Sequence, residues 1–527
     1  MTVTVGYATG VFTVTTKSDT TAADTTPDKF LFTDLLAAAP NRQIQSNTVT
    51  VTGIDAPAPI RLQGAGSYSL NGGTFTNQPG TVKLNDKVKL RLTSSKNAGA
   101  AVSVTLSIGG VSATWTVTTK DGGNTTTPAS DWTQVKPAAA LRPSVAGGAS
   151  YGQVLAAQGD WLWIGAPAVA SDGQANRGVA YLWQRTAEGD WKAIPTPLSQ
   201  GQAGDAFGGA LAVHGDWAAV GAPKADLGFI EDFGKLYLYQ NQGGVWQPAQ
   251  SIITPDYLQL QFGGAAALSD AWLAVGAPGS SIATAAANGD GSVYLFSLQN
   301  GAWIYQQTLA APQKAGRFGA SLALDGDRLV VGAPTELRSV NDNQGSGNVY
   351  AYRLEGNVWT QDAAFPLPNL NAHFNGQLGA AVALQGDTLA VGAPLVSVPD
   401  PVAVNLPHSE AGRVFLYAWD EAKQSWRLGG SFVQESEFGD QDHFGTSLAL
   451  TGQGEWLLVG APGYEPSKSL SNAGRVSLYQ LTASGPVPVQ IFDGTGKNQG
   501  WGRSAALLPS DAFIGAQNGK VWWYQAK

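Results

Sequence analysis

A unit that recurs seven times from residue 151 onward does most to limit what this chain can fold into. Each copy opens on a large apolar residue followed by glycine, passes through a short apolar run, and in six of the seven units reaches Gly-Ala-Pro. The opening pairs are Tyr151-Gly152, Phe207-Gly208, Phe262-Gly263, Phe318-Gly319, Leu378-Gly379, Phe444-Gly445 and Trp501-Gly502. Gly-Ala-Pro begins at Gly165, Gly221, Gly276, Gly332, Gly392 and Gly460, and the seventh unit reads Gly515-Ala516-Gln517. Successive pairs lie 56, 55, 56, 60, 66 and 57 residues apart. Units of this length bury their apolar faces on their neighbours, so the repeat dictates an architecture before it dictates a site.

Four apolar runs fit inside one unit. In the fourth they are ASLALDG (320–326), DRLVVGAP (327–334), NVYAYRLEG (348–356) and NVWTQDAAF (357–365). Four short strands per unit make a propeller blade. The first two runs meet at Gly159-Asp160, Gly215-Asp216 or Gly386-Asp387, where aspartate serves the turn. The fourth run carries a tryptophan in most units: Trp191, Trp246, Trp303, Trp359 and Trp426. Only three runs follow Trp501, and residues 131–135, DWTQV, match the Trp359-Thr360-Gln361 strand and supply the fourth. The expectation is therefore an all-β chain whose residues 131–527 form a seven-bladed β-propeller of four-stranded blades. The N-terminal strand of the repeat region closes the ring and removes its open edge.

Ahead of the repeats, residues 27–120 alternate apolar and polar side chains in short runs, with Asn71-Gly72-Gly73 and Gly109-Gly110 as hairpin turns. This predicts a β-sandwich, and the pattern resembles the Ig-like repeats carried in tandem by bacterial surface and secreted proteins. Polar, Thr-rich linkers flank it at 18–26 and 121–130. Residues 2–17 align without a gap on residues 105–120. Residues 1–26 are accordingly read as the tail of a preceding Ig-like repeat plus its linker, which implies a longer multidomain chain.

Composition excludes several functions. Only 13% of residues are charged, and 66 of 527 are glycine, which suits strands joined by tight turns. Cysteine is absent, so disulfides, thiolate metal sites and a thiol nucleophile are ruled out. The net charge is −8 and no Lys/Arg run tracks a phosphate backbone, so nucleic acid is not an expected partner. No apolar run approaches the ~18 residues of a membrane span, and the chain carries no signal-peptide pattern.

The Phe-Gly and Gly-Ala-Pro landmarks, with Val-Tyr strands such as Val293-Tyr294 and Val349-Tyr350, resemble FG-GAP repeats, the units of the integrin α-subunit propeller. The likeness is closer to the bacterial form. It implies a secreted or cell-surface adhesion or binding protein that recognises extracellular protein or glycan ligands. Integrin-like blades often hold calcium in an Asp-rich loop between their first two strands, but no DxDxDG pattern occurs at the seven positions, so that calcium site is not carried over and no cofactor is expected from it.

Candidate sites follow from the loops. His214, His373, His408 and His443 fall in different units without metal-ligand spacing, and no nucleophile elbow or phosphate loop is present. No catalytic residues are assigned. Glu435, Glu437, Asp440 and Asp442 form an acidic stretch that can hold a hard cation such as calcium if its oxygens converge. The bland reading makes Asp442, like Asp205, a turn aspartate two residues before the aromatic. The loops after Gly-Ala-Pro vary most in length, reaching 395–412 in the fifth unit with its apolar patch 402–406. They carry the candidate ligand-binding residues Asp172, Arg177, Glu231, Asp232, Asp342, Glu410 and Lys468. Two rival functions stay open: a propeller-based extracellular hydrolase or lyase, and an inert structural or spacer module.

Overall fold

The computed structural model describes residues 2–5, 8–11, 23–32, 35–38, 43–97, 100–119, 132–133, 135, 139–142, 150–255, 260–279, 289–313, 316–337, 345–368, 376–398, 408–420, 423–434, 439–451, 454–482 and 484–527. The named secondary-structure elements among them are all strands. The chain divides into two units, Met1–Ala129 and Ser130–Lys527.

In the first unit, alternation sends every second side chain inward. Along Lys87–Thr93, Val88, Leu90 and Leu92 are buried while Lys87 and Thr93 face out. That strand pairs with Gln43–Thr50 and Gly66–Leu70 in a three-stranded sheet. A five-stranded sheet holds Leu35–Ala38, Val111–Thr119, Ala101–Ile108, Ala58–Gly64 and Gly80–Val82 in that spatial order. Residues of both sheets, among them Tyr68, Leu90, Leu106 and Trp115, share one apolar cluster. The outer face of the larger sheet is zipped by hydroxyl pairs directly across the ladder: Ser103–Thr116 at 3.0 Å, Thr105–Thr114 at 2.8 Å and Ser107–Ser112 at 2.5 Å. Both central residues of the Gly109-Gly110 turn take positive φ, as a two-residue hairpin of this twist demands. The hairpin Thr2–Val5/Ala8–Val11 pairs Val5 with Ala8 and Thr2 with Val11. Its sequence counterparts 103 residues on pair Ile108 with Val111 and Thr105 with Thr114, the same register.

In the second unit the described residues form seven four-stranded antiparallel sheets. The first is Val154–Gln158, Trp161–Ala166, Val179–Arg185 and Trp191–Ala193, each strand paired with the next in sequence. Second strands such as Trp272–Ala277 are buried along their whole length, because sheets cover both of their faces. The first strands of successive sheets lie side by side, and Ser504–Leu507 of the last lies beside Val154–Gln158 of the first.

The last sheet combines Ser504–Leu507, Asp511–Ala516 and Lys520–Gln525 with Ala140–Leu141 from the other end of the unit. Ala140 stands opposite Trp522 and Leu141 opposite Val521. The strand expected at 131–135 is thus corrected: Trp132 and Thr133 lie in a turn, and the backbone pairing occurs at 140–141. The sequence match rests on a tryptophan, and that tryptophan does take the place its counterparts take. Trp132 is buried with its ring 6.4 Å from Trp456 of the preceding sheet. Trp246 meets Trp161, Trp303 meets Trp217, and Trp359 meets Trp272 in the same way. Side-chain packing and ladder hydrogen bonding are separate requirements, and here different residues meet them.

The two landmarks of the repeat meet at the seams between sheets. A Cβ on Gly165 would run into the carbonyl oxygen of Gly208. The same holds for Gly221 against Gly263, Gly276 against Gly319, Gly332 against Gly379, Gly392 against Gly445, Gly460 against Gly502, and Gly515 against Gly152. Glycine recurs here because backbone touches backbone. Where the first strand opens on serine, its hydroxyl donates to that same carbonyl: Ser321 to Gly379 and Ser447 to Gly502, both at 2.7 Å, and Ser504 to Gly152 at 2.5 Å.

Candidate functional site

The loops after Gly-Ala-Pro end on a recurring device. The glycine just before the third strand forms a parallel bridge with the large apolar residue of the next unit: Gly178 with Phe207, Gly234 with Phe262, Gly291 with Phe318, Gly347 with Leu378, Gly412 with Phe444 and Gly474 with Trp501. Two residues earlier, Asn176, Asp232, Glu410 and Asn472 adopt positive φ. Their carbonyls accept the N–H of Ala206, Gln261, His443 and Gly500, each immediately before the next unit's apolar residue. Loop and inter-unit link are thereby gathered at one end of the first six sheets.

Within this frame most candidate residues have local tasks. Arg177 donates from Nη1 to Asp172 Oδ2 at 2.5 Å and from Nε to the Gly201 carbonyl at 3.0 Å. The Asp172 side chain is 76% exposed, so this pair remains a solvated rim contact. The N–H of Asp232 donates to Asp226 Oδ1 at 3.0 Å, and Glu231 is exposed beside it. Lys468 is exposed in a turn of the sixth unit. Asp342 and the patch 402–406 lie outside the described residues.

A group of titratable side chains sits where 408–410 meets 440–443. His443 Nε2 lies 3.3 Å from Glu410 Oε2, and His408 Nδ1 lies 3.7 Å from Asp440 Oδ1. Asp440 Oδ1 also accepts the Ser409 N–H at 2.9 Å. Asp442 is only 2% exposed and accepts the Gly439 N–H through Oδ2 at 2.5 Å. Burial pushes its carboxyl up to about 6, against the lowering effect of that N–H and of nearby Arg475, His408 and His443. Asp205 repeats the arrangement, buried and accepting the Gln202 N–H at 2.8 Å, and burial raises it too. Both aspartates therefore brace the turn three residues upstream. Among the described residues no three His, Asp or Glu side chains gather as a cation site requires; Glu435 and Glu437 lie outside those residues.

Two further networks escaped the sequence reading. Arg475 binds Asp493 through Nε at 2.6 Å and Nη2 at 2.8 Å while its guanidinium lies 3.8 Å over the Tyr464 ring. Glu336 is buried and accepts from the Tyr350 hydroxyl at 2.8 and 2.7 Å and from Asn348 Nδ2 at 2.7 Å. Tyr464 and Glu336 both stand four residues after the glycine of Gly-Ala-Pro, where the other described units have Val169, Ala225 and Val396. That variability at a fixed repeat position was the signal available in the sequence.

Comparison with known proteins bears on the repeat. Residues 196–239 and 303–352 match the FG-GAP repeat, each stretch spanning one Phe-Gly and one Gly-Ala-Pro. No curated protein matches the chain. Among solved structures it is similar to a protein from Lactobacillus plantarum at 12% identity and a TM-score of 0.43, over 67% of this chain and 88% of that one. The recurrent sheets and the matched stretches together support an FG-GAP β-propeller.

Proposed function

We propose that this chain is a non-enzymatic, secreted or cell-surface binding protein whose loops, at one end of a closed seven-bladed propeller, recognise an extracellular protein or glycan. The observation that carries the reading is the set of six parallel bridges, because they bring the variable loops of successive units to the same end of their sheets. Ring closure is supported by the pairing of Ala140–Leu141 with Lys520–Gln525 and by the Gly515–Gly152 seam, which repeats the other six. In the same proposal residues 27–120 are an Ig-like spacer, and the opening hairpin is part of a second copy, supported by its shared register. Within the proposed binding end, Asp172, Arg177, Glu231, Asp232, Glu410 and Lys468 supply charged contacts.

The test is a binding screen of the full chain against glycan and extracellular-protein arrays, followed by two variants. One shortens 395–412, and the other combines Asp172→Ala, Glu231→Ala and Lys468→Ala. Saturable binding that either variant removes is the expected result. A folded chain that is silent on both arrays, or binding untouched by both changes, overturns the proposal.

A further inference from the structure

We propose a further binding site in the second sheet: a pocket for a neutral saccharide, opened by the small side chain of Ala225. The cavity measures about 580 Å³, within the range of small-molecule sites and with room for roughly two or three linked pyranose rings. Its existence follows from comparing equivalent positions. In the first, second, fourth, fifth and sixth sheets the fourth residue after the Gly-Ala-Pro glycine accepts, through its carbonyl, the N–H of the glycine just before the third strand: Val169 from Gly178, Ala225 from Gly234, Glu336 from Gly347, Val396 from Gly412 and Tyr464 from Gly474. The backbones are the same and the side chains differ. Glu336 fills its space by accepting from Tyr350 and Asn348, and Tyr464 fills its own by lying under Arg475. Ala225 has nothing to fill it with.

The residues left facing the space are the counterparts of those that close the other two. Tyr237 corresponds to Tyr350 and Lys235 to Asn348 and Arg475. Tyr237 and Tyr239 are nearly fully buried at the cavity wall. Burial raises both phenols above their ordinary value. The Tyr239 hydroxyl makes no hydrogen bond of ordinary length and angle, although the Gln200 side chain lies beside it.

The lining selects the ligand class. The ring faces are covered: Phe207 sits edge-on to Tyr237 at 5.4 Å, Lys235 Nζ lies 5.0 Å from the Tyr237 ring centre, and Trp163 covers Tyr239 at 5.9 Å. The site therefore offers polar edges. Asp205 and Asp226 accept, Lys235 donates, and Gln202 and Ser251 add groups of both kinds. Lys235 in the wall and Arg177, which acts on Asp205 from nearby, offset the two carboxylates. A neutral ligand that both donates and accepts at many points fits this balance, and that is the chemistry of sugar hydroxyls.

The pocket lies at the loop end of the second sheet, between the link 200–205 and the loop after Gly221-Ala222-Pro223, but it rests on its own lining rather than on the charged loop tips, and its test separates the two. Saturation-transfer NMR on the full chain would use cellobiose, maltose and lactose as probes, with glucosamine and glucuronate as charged controls. Saturable binding of at least one neutral disaccharide is expected. Ala225→Tyr, a residue the sixth sheet carries at this position, should abolish it with the melting transition retained. Ala225→Val, as in the first and fifth units, guards against a folding failure of the tyrosine variant and should weaken binding. Asp205→Asn should weaken it on the order of tenfold. Silence from all three neutral sugars, unchanged binding in folded Ala225→Tyr, or preference for a charged control overturns the proposal. The shortened 395–412 loop variant should leave this signal unchanged.

Discussion

Glycines at the seams act through what they lack. Gly276 admits the Gly319 carbonyl into the volume a methyl group would occupy, and the clash is with backbone, which cannot swing aside. Gly276→Ala should therefore cost about 2–4 kcal/mol, read as a lower urea midpoint, whereas at the turn glycine Gly301 open space leaves only the strain of its positive φ, about 1–2 kcal/mol. Asp442 works by the opposite logic, a carboxyl kept in a place that favours its neutral form. Its folded value of about 6 lies above the unfolded one, so the native state holds the extra proton between roughly pH 4 and 6. Its contribution is greatest at acid pH and is lost as pH rises through 6, by about 2 kcal/mol. Asp442→Asn should flatten that part of the stability profile, measured by urea unfolding from pH 4 to 7. The role of Asp442 as a turn residue was legible from its place two before Phe444. Its titratable neighbours were not, since 408–410 reaches it through a loop whose course no local pattern encodes.

Strands were the most legible elements, because their burial is periodic or continuous and each is punctuated by Gly-Asp or Gly-Ala-Pro. The outer strands are held by more than their ladders. Gln250 donates to the Trp303 carbonyl and accepts the Trp303 N–H, both at 2.9 Å, and Gln307 does the same for Trp359. Each pair covers backbone groups on an exposed strand edge. Gln250→Ala should cost about 1–2 kcal/mol in chemical denaturation, because it leaves those groups without their partners. Trp303→Ala should cost more, about 3–5 kcal/mol, since it also empties the contact with Trp217. The tryptophans were visible as a repeat feature, while the glutamine clamps were not, because they join side chain to backbone across units more than 50 residues apart.

At the scale of the whole molecule, the two ends of the second unit meet in one sheet. Removing residues 1–142 would leave that sheet with three strands and an unpaired edge at Lys520–Gln525. The expected outcome is a lower melting temperature and faster proteolysis at the C-terminal strand, with cleavage sites read by mass spectrometry. Trp191 should hold part of the junction even then, since its ring packs edge-on to Phe513 at 5.0 Å and its Nε1 donates to Asp511. The sequence by itself determined the all-β class, the unit length, the strand order within a unit and the need for glycine at the landmarks. Each of these follows from local periodicity, turn chemistry or repetition. Only the tertiary structure decided which residues supply the last strand, which aspartates face histidines, and where a small side chain opens a pocket. Those outcomes depend on what stands opposite a residue across a seam, and a single sequence carries no record of its neighbours in space.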